Sequence, residues 1–481
     1  MRLTLTHPLH GYYTSPSKPD QDLFDEDEND TNYQEIAQSS ADHIFGKMGD
    51  FTTAPEVSQV FGECVLVWFM TQYEAMGSPS VLTLVEVGPG RGTLMADILK
   101  SAIQTFPKLV DALSAPGGGV HLVENSRKLR KSQYEAIAKA VKMSPYHLDI
   151  KNEDIENSED LTKQNDDKQT KNQRIAGVNT RTLSIRWHDI LAAVPCTSTQ
   201  FLVAQEFIDA LPVHSFQKTK NGVWRERMVD VEVAPDAYTD AEEEASRFMK
   251  RFGVAEDEDD KLEHGVVENS NNSLPSPPSS KHKKPRLRFV LAKDVTPALR
   301  SLMNTDQEGR VLTLPTLDDA KEGDVLEVCP EGMSFVQDVA NRLNQRGGAA
   351  LIVDYGSAHG TGDSVRAFYK HHQVHPLSQP GQVDVTADVD FAALKMAVRQ
   401  LTNNKCQTHG PVSQGNFLAS MGAVERVEQL VDDERTTDKQ ATDLYLALER
   451  LLLPEQMGER YKVMALCNNP QSLLNDPPAG F

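Results

Sequence analysis

The stretch VLTLVEVGPGRGTLMADILKS, residues 81–101, joins a short apolar run to a glycine-rich turn and then to a helical pattern. The apolar run ends at Val87, the glycines follow at once, and apolar residues then recur at helical spacing. A buried strand, a glycine turn and a helix in this order are typical of α/β proteins that bind a nucleotide-like ligand at the turn. The first question is therefore which ligand this turn holds.

The spacing of the glycines limits the ligand. GPGRGTL lacks the Lys-Ser/Thr pair with which a P-loop handles phosphate and Mg²⁺, so a P-loop is excluded. Gly88 and Gly90 match the first two positions of a dinucleotide fingerprint, but the third falls on Thr93, and Gly92 does not restore the spacing. The turn therefore favours a nucleoside without phosphates, such as S-adenosylmethionine, over a pyrophosphate.

The chain on either side of this turn alternates between apolar strands and amphipathic helices. Helices are predicted over residues 93–106, 126–142 and 333–345, between strands such as GVHLVEN, LSIRWHD, TQFLVAQEF and GGAALIVDYG. Residues 213–233 are predicted to form a hairpin that turns at Asn221-Gly222. This alternation predicts an α/β fold with a mainly parallel, doubly wound sheet.

Composition excludes several classes of protein. The 481 residues carry a net charge of −21, which argues against nucleic-acid binding as the main function. The five cysteines are scattered without a CxxC pair, which indicates neither a disulfide framework nor a zinc site and suits a reducing compartment. No apolar run reaches the roughly 18 residues of a membrane-spanning helix, and the N-terminus shows no signal peptide or Arg-rich presequence.

Three polar, charged stretches are predicted to be disordered inserts, at residues 20–42, 151–180 and 236–285. A loose tail is expected from residue 471 to 481. The resulting division is an N-terminal helical lid over 1–80, a first part of the core over 81–235, and a second part with substrate-binding additions over 286–470.

Acidic residues follow two of the predicted strands where a nucleoside would need them. Glu124 ends the second strand, where a ribose requires a carboxylate, and Asp189 follows the third strand, where it could accept from the adenine amino group. The alternative is that Glu124 only caps the next helix and that Asp189 faces solvent.

Two further acids, Glu206 and Asp209, lie in AQEFIDALPVHSF at the end of the fourth strand. Two carboxylates beside a sulfonium methyl group suit a cationic guanidinium, because they can pair with it and steer its nitrogen in line with the methyl. Asp209 could instead cap a turn before Pro212. Upstream, Thr53 and Glu56 have the spacing of a capping box for a helix that stops near Gly77, so capping and a functional role remain alternatives for this pair.

Several long motifs resemble those of the MidA family of mitochondrial protein-arginine methyltransferases, which are required for assembly of respiratory complex I. The motifs are HPLHGYY, FGKMGDFTTAPEVSQVFGE, VEVGPGRGTLMADIL, HLVENS, QEFIDALPVHSF, LIVDYG and PGQVDVTADVDF, in family order and over most of the chain outside the inserts.

The resemblance implies a seven-stranded, Rossmann-like methyltransferase with S-adenosyl-L-methionine as its cofactor. It implies symmetric dimethylation of an arginine in the 49-kDa-type subunit of complex I, in the mitochondrial matrix, by a protein that could be a homodimer. By motif, the donor loop is Gly88, Gly90 and Gly92 with Glu124 on the ribose, and the segment with Asp50, Thr52, Thr53, Pro55 and Glu56 is expected to fold over the donor.

The sequence departs from the family pattern at Gln205, where the family has Asn. It also begins at the family's THPLHGYY region, so the mitochondrial location rests on the resemblance alone. A non-catalytic assembly chaperone and a nicotinamide-dependent oxidoreductase are the alternatives. His371, His372 and His375 lie close together, but no Cys, Asp or Glu completes a ligand set there, and no metal site is expected.

Overall fold

A computed structural model of the protein describes residues 1–7, 10–14, 52–142, 147–151, 182–232, 286–311, 319–369, 372–469 and 477–481. Asp50 and His371, together with most residues of the three predicted inserts, lie outside these ranges. The strands are β1 (Leu82–Val87), β2 (Gly119–Val123), β3 (His147–Lys151), β4 (Thr182–His188), β5 (Thr199–Gln205), β6 (His214–Lys218), β7 (Trp224–Glu232), β8 (Arg286–Leu291), β9 (Val325–Val328), β10 (Gly348–Ser357), β11 (Arg366–Tyr369), β12 (His372–Val374), β13 (Asp384–Thr386), β14 (Val389–Asp390), β15 (Gln407–Ser413) and β16 (Tyr461–Asn468).

The helices agree closely with the sequence pattern at the three predicted positions. They are α1 (Arg2–Thr6), α2 (Ala54–Val57), α3 (Gln59–Ala75), α4 (Thr93–Thr105), α5 (Pro107–Leu113), α6 (Arg127–Val141), α7 (Pro297–Met303), α8 (Pro330–Arg346), α9 (Phe391–Arg399), α10 (Gln414–Ser420), α11 (Ala423–Val431) and α12 (Asp438–Leu452).

The central sheet has the order β15-β16-β10-β5-β1-β2-β4-β3, with the short β14 beside β10. Strands β10, β5, β1, β2, β4 and β3 run parallel, whereas β16 runs antiparallel to both β10 and β15. The chain enters this sheet at β1 in the middle and builds outward in both directions. The doubly wound α/β fold predicted from the sequence is therefore confirmed.

Both faces of the sheet are covered, which explains the continuous apolar sequence of β1. Leu82 and Leu84 join one buried cluster with α3–α6 and α10–α12, while Val85 and Val87 join a second cluster with α8 and α9. All residues of β1 are buried, so the packed strand holds the glycine turn that follows its carboxyl end in a fixed position.

Helix α3 corrects one local prediction. The long helix begins at Gln59, and its N-cap is Ser58, whose side chain accepts from the Val60 N–H at 3.2 Å. Thr53 is instead the N-cap residue of the separate short helix α2, and its side chain makes no capping hydrogen bond. The extended conformation of Ser58 interrupts the helical pattern, so the predicted capping box over Thr53 and Glu56 is wrong.

A second compact unit comprises residues 214–328 and 375–380. It contains the antiparallel sheet β8-β7-β6-β9, and the predicted hairpin is its β6–β7 pair, with Gly222 at a φ of +73° in the turn. This unit takes residues from both sides of the predicted insert at 236–285. The domain boundaries expected from the sequence stay predictions.

Of the tail expected to be loose over 471–481, only residues 477–481 lie within the described ranges, so that expectation stays a prediction. The ring of Phe481 lies 5.8 Å from that of Phe417 and 6.3 Å from that of Trp68, and it packs against the larger core cluster. Within the described ranges, no helix has both the length and the apolar content needed to cross a membrane.

Candidate active site

A cavity of about 470 Å³ opens at the carboxyl ends of β1, β2, β4 and β5. Ligand crevices of doubly wound sheets lie at this edge. Eight of the residues singled out from the sequence line it: Thr53, Glu56, Gly88, Gly90, Glu124, Asp189, Glu206 and Asp209. Gly92 and Thr52 do not line the cavity.

The three glycines of the turn all have a left-handed backbone. Gly88, Gly90 and Gly92 have φ values of +68°, +53° and +82°, a region that side chains disfavour. A Cβ on Gly88 would lie 2.8 Å from the ring of Phe207, and one on Gly92 would lie 2.8 Å from the Cα of Gln133. The glycines therefore let the turn pack against its own protein while its backbone stays open to the cavity at Gly90.

Glu124 is a partly buried carboxylate that accepts hydrogen bonds from two sides. One oxygen accepts from the Ser126 N–H at 2.8 Å, and the other accepts from the side-chain amide of Gln133 at 3.2 Å. Burial raises the pKa of Glu124 to about 7, and these hydrogen bonds oppose the shift. Helix α6 has Ser126 as its N-cap residue, so Glu124 is not the capping residue of that helix.

Gln133 is a site residue that the sequence analysis missed. It is fully buried, and its amide nitrogen also donates to the Gly90 carbonyl at 2.8 Å, while its oxygen accepts from the Trp187 indole at 2.8 Å. One side chain thus ties the glycine turn to Glu124 and to β4. Nothing in the sequence marks this position, because it is one of several polar residues on α6.

Asp189 lies at the edge of the cavity, where its side chain is 79% exposed. It forms an ion pair with Arg130. Arg130 also donates to the backbone carbonyl of Glu124, with its Nε at 2.7 Å. The two acids expected around the nucleoside are therefore joined by one guanidinium, but Glu124 is partly buried whereas Asp189 is largely exposed.

Glu86 is a second residue that the analysis missed. It lines the cavity at the end of β1, is 2% exposed, and its Oε2 makes no hydrogen bond with any described residue. Burial raises the pKa of Glu86 to about 8, and the Met95 N–H partly opposes that shift. A buried, unsatisfied carboxylate oxygen is costly unless a donor or cation binds it.

Glu206 has an unusual backbone for its residue type. Its φ is +49°, and its N–H donates to the Val353 carbonyl at 2.8 Å. Its side chain accepts from the Gln205 amide and, at 3.5 Å, from the Ala54 N–H of α2. Burial, with a further contribution from Asp209, raises the pKa of Glu206 to about 8. Strained residues of this kind occur at functional sites.

Asp209 shares this wall of the cavity and is 7% exposed. Its Oδ2 accepts from the Thr386 hydroxyl at 2.7 Å and from the Tyr355 hydroxyl, whereas its Oδ1 makes no hydrogen bond with any described residue. Burial raises the pKa of Asp209. Glu206 and Asp209 thus lie on one wall of the cavity. Both favour the protonated form when no cation is bound, and both would ionise beside a cation.

Comparison with known proteins identifies the family to which this chain belongs. Residues 64–412 match the model of a family described as "Putative S-adenosyl-L-methionine-dependent methyltransferase". The chain belongs to this family. The resemblance to the MidA family and the expected cofactor, S-adenosyl-L-methionine, are thereby confirmed at the level of the family.

Similar curated proteins carry one name in several animals, "Protein arginine methyltransferase NDUFAF7, mitochondrial". The rat protein is 33% identical over 88% of this chain and 75% of its own length. The zebrafish protein is 32% identical over 100% of this chain and 87% of its own length, and the human protein is 30% identical over 97% and 78%.

Two solved structures from Burkholderia thailandensis share the fold. One is a COG1565 superfamily member bound to S-adenosyl-homocysteine, with a TM-score of 0.59 and 20% identity over 98% of this chain and 87% of that chain. The other is an uncharacterised member of the same superfamily, with a TM-score of 0.56 and 20% identity over 98% and 86%.

The cavity of this family member fits the methyl donor. Glu86 has an unsatisfied carboxylate oxygen that suits an ammonium group, Gly90 exposes its backbone, and Glu124 is a partly buried carboxylate that suits hydroxyl donors. The Glu56 carboxylate of α2 lies 3.8 Å from Nε of Arg91 in the glycine turn, so the short helix expected in the lid meets the donor loop. Among the described residues there is no cluster of His, Cys, Asp and Glu suited to a metal ion.

Proposed function

We propose that this methyltransferase transfers a methyl group from S-adenosyl-L-methionine to the guanidinium of a protein arginine. The observation that carries the proposal is a pair of acids, the partly buried Glu206 and the buried Asp209, on the same cavity wall and next to the proposed donor residues. The names of the similar animal proteins support the same acceptor.

In this proposal the donor is held by Gly88, Gly90, Glu86 and Glu124, with Asp189 at the exposed end towards the base. Gly92 serves the donor loop by shaping the turn from outside the cavity. When bound, S-adenosyl-L-methionine supplies an electrophilic methyl group on a sulfonium. Thr52, Thr53 and Glu56, with Asp50, form the segment that closes over it.

Glu206 and Asp209 bind and orient the acceptor. A guanidinium beside two carboxylates favours their ionised forms and so opposes the rise that burial imposes on the pKa of Glu206 and Asp209. Charge-assisted pairs fix the plane of the guanidinium and direct one nitrogen towards the methyl group. The new N–C bond would form as the methyl–sulfur bond breaks, with S-adenosyl-homocysteine as the leaving group. The methylated nitrogen gives up a proton, and the Glu206 carboxylate accepts it.

The proposal extends to the target and the product. We propose an arginine in the 49-kDa-type subunit of respiratory complex I as the substrate, symmetric dimethylation as the outcome, and complex I assembly in the mitochondrial matrix as the role. The resemblance to the MidA family supports these points, as do the mitochondrial names of the relatives. A homodimer is part of the same proposal.

The test is transfer of a radiolabelled methyl group to purified 49-kDa-type subunit, measured beside calorimetric titration of the donor. Glu206→Gln should keep donor affinity but lose transfer, because the amide gives up the charge-assisted pair. Such a loss typically costs about 2–5 kcal/mol, or roughly 30- to several-thousand-fold in rate. Asp209→Asn should behave in the same way.

Three results would contradict the proposal. Near-normal transfer by Glu206→Gln would remove the acids from the acceptor site, and loss of donor affinity would assign Glu206 to the cofactor. Donor binding by the wild-type protein without any transfer to the subunit would favour an assembly chaperone instead.

A further inference from the structure

Asp209 is held by side chains that come from two other strands. The Tyr355 hydroxyl, near the end of β10, and the Thr386 hydroxyl, at the end of β13, both donate to Oδ2 of Asp209. These two hydroxyls also contact each other. Since Oδ1 receives no hydrogen bond from any described residue, the carboxylate is satisfied on one side only.

The Tyr355 ring is itself fixed by charged and aromatic neighbours. The guanidinium carbon of Arg366 lies 4.8 Å from the ring centroid, and Arg366 pairs with Asp388 at 2.7 Å. The ring of Tyr461 packs edge-on at 5.5 Å, and Arg460 lies over the Tyr355 ring at 5.7 Å. A phenol clamped in this way presents its hydroxyl in one direction.

The backbone of Asp209 is fixed from the same strand end. One oxygen of Asp354 accepts from the N–H of Ile208 at 2.9 Å and of Asp209 at 3.3 Å. Adjacent residues of β10 therefore hold the main chain of Asp209 through Asp354 and its side chain through Tyr355. Despite this double support, Oδ1 of Asp209 has no hydrogen-bond partner among the described residues. A buried carboxylate that served stability alone would have both oxygens satisfied.

We propose that Tyr355 and Thr386 are positioning residues for the acceptor arginine: they hold Oδ2 of Asp209 so that Oδ1 faces one guanidinium nitrogen. This inference rests on the proposed arginine acceptor. The two hydroxyls touch neither donor nor acceptor and act through Asp209, keeping it ionised and oriented at the moment of transfer.

The same contacts set the pH dependence. Burial raises the pKa of Asp209, and the hydrogen bonds from Tyr355 and Thr386 lower it. Removing either hydroxyl should raise that pKa further, so the acidic limb of kcat/KM for the acceptor should move to higher pH. Besides Tyr355, the titratable or charged groups that face Asp209 are Glu206, Asp354, Arg366, Tyr461, Tyr13 and Cys329.

The experiment compares Tyr355→Phe, Thr386→Val and Thr386→Ser with Tyr445→Phe, whose ring lies on the exposed surface of α12. Transfer to the purified 49-kDa-type subunit is measured across pH, and donor affinity is measured by calorimetry with S-adenosyl-homocysteine. Tyr355→Phe and Thr386→Val should lose about ten- to a hundredfold in kcat/KM, the typical effect of one hydrogen bond to a charged group. Donor affinity should stay within about twofold.

Raising the pH should restore part of the lost activity, and Thr386→Ser should stay close to the wild-type protein. Wild-type activity with an unchanged pH profile in both Tyr355→Phe and Thr386→Val would overturn this inference while the proposed function stands. Loss of donor affinity in parallel with transfer would also overturn it, because the residues would then be structural. If Tyr355→Phe does not fold, the comparison of Thr386→Val with Thr386→Ser decides. A wild-type protein that binds donor but transfers nothing would overturn both proposals together.

Discussion

Two walls of the cavity are built in different ways: the wall proposed to hold the donor (Gly88, Gly90, Glu86 and Glu124), called the donor wall, and the wall proposed to hold the acceptor (Glu206 and Asp209), called the acceptor wall. The donor wall comes from neighbouring elements of one β-α-β-α segment, where Gln133 of α6 joins the glycine turn to Glu124. On the acceptor wall, Asp209 depends on Tyr355 and Thr386, which lie 146 and 177 positions further along the chain. Local sequence therefore specifies the donor wall, and the tertiary fold assembles the acceptor wall.

Glu124 and Asp209, one acid from each wall, also differ in how far they are satisfied, although Glu86 on the donor wall has an unsatisfied oxygen of its own. Both oxygens of Glu124 accept hydrogen bonds, whereas one oxygen of Asp209 accepts two and the other accepts none from the described residues. A satisfied acid contributes mainly shape and a few hydrogen bonds to a neutral ligand. A half-satisfied acid is suited to a cation that arrives with the substrate. The following variants test this division between donor and acceptor.

The largest effect is expected at the glycine turn. Gly90→Val places a β-branched side chain at a φ of +53°, where the backbone borders the cavity, so donor affinity should fall at least about a hundredfold. Gly222→Val is the matched control, because Gly222 has a φ of +73° and open space within 4 Å of its Cβ position. Calorimetry with S-adenosyl-homocysteine should show weak binding for the first variant only. Equal affinity in both would remove the turn from the donor site.

A smaller loss is expected at the ribose position. Glu124→Gln keeps an oxygen for the Ser126 N–H but gives up the charge, so donor affinity should fall about ten- to a hundredfold. Affinity for an arginine substrate, measured with S-adenosyl-homocysteine already bound, should stay nearly constant. A variant that loses arginine affinity as strongly as donor affinity would break the division between the two walls.

Much of the donor wall could be predicted because its signals are local. Glycines with positive φ follow strand β1, and Glu124 follows strand β2. Their positions after neighbouring parallel strands place the glycine turn and Glu124 at the same edge of the sheet. The strand-end position of Glu206 and Asp209 was visible for the same reason. The fold class followed from the alternation of strands and helices, which does not require knowledge of any tertiary contact.

No feature of the nearby sequence predicts the remaining site residues. Gln133 looks like any polar residue of α6, and Tyr355 and Thr386 acquire their role only when β10 and β13 bring them to Asp209. The error at Thr53 has a different cause. Capping spacing identifies a helix start but does not distinguish a short helix from a long one that begins a few residues later.

The buried acids predict a pH dependence of stability. Burial raises the pKa of Glu86 and Glu206 from 4.5 to about 8 and that of Glu124 to about 7. An acid whose folded pKa is raised stabilises the fold fully below its unfolded pKa, and that stabilisation is lost as pH rises through the folded value.

The Tm of the donor-free protein should therefore fall from about pH 4.5, the unfolded pKa, to about pH 8, the highest folded pKa, and level off above it. Glu206→Gln should flatten this fall and raise Tm at pH 8.5 by at least about 2 °C, whereas Glu449→Gln, an exposed residue on α12, should not. Thermal unfolding at three pH values measures the difference. A Glu206→Gln protein with the same pH slope as the wild type would mean that Glu206 is not held in a buried, desolvated form.

The smallest effect is expected at the outer end of the donor wall. Asp189 is 79% exposed, and its partner Arg130 keeps a second hydrogen bond, 2.7 Å from its Nε to the Glu124 carbonyl. Exposed ion pairs contribute little because solvent screens them, so Asp189→Ala should reduce donor affinity by no more than about fivefold. The matched comparison is Glu124→Gln in the same titration, where the acid is partly buried and the loss should be clearly larger. If Asp189→Ala instead costs as much as Glu124→Gln, the adenine amino group must bind Asp189 in a closed site. In that case the donor wall extends further from the sheet edge than the buried residues indicate.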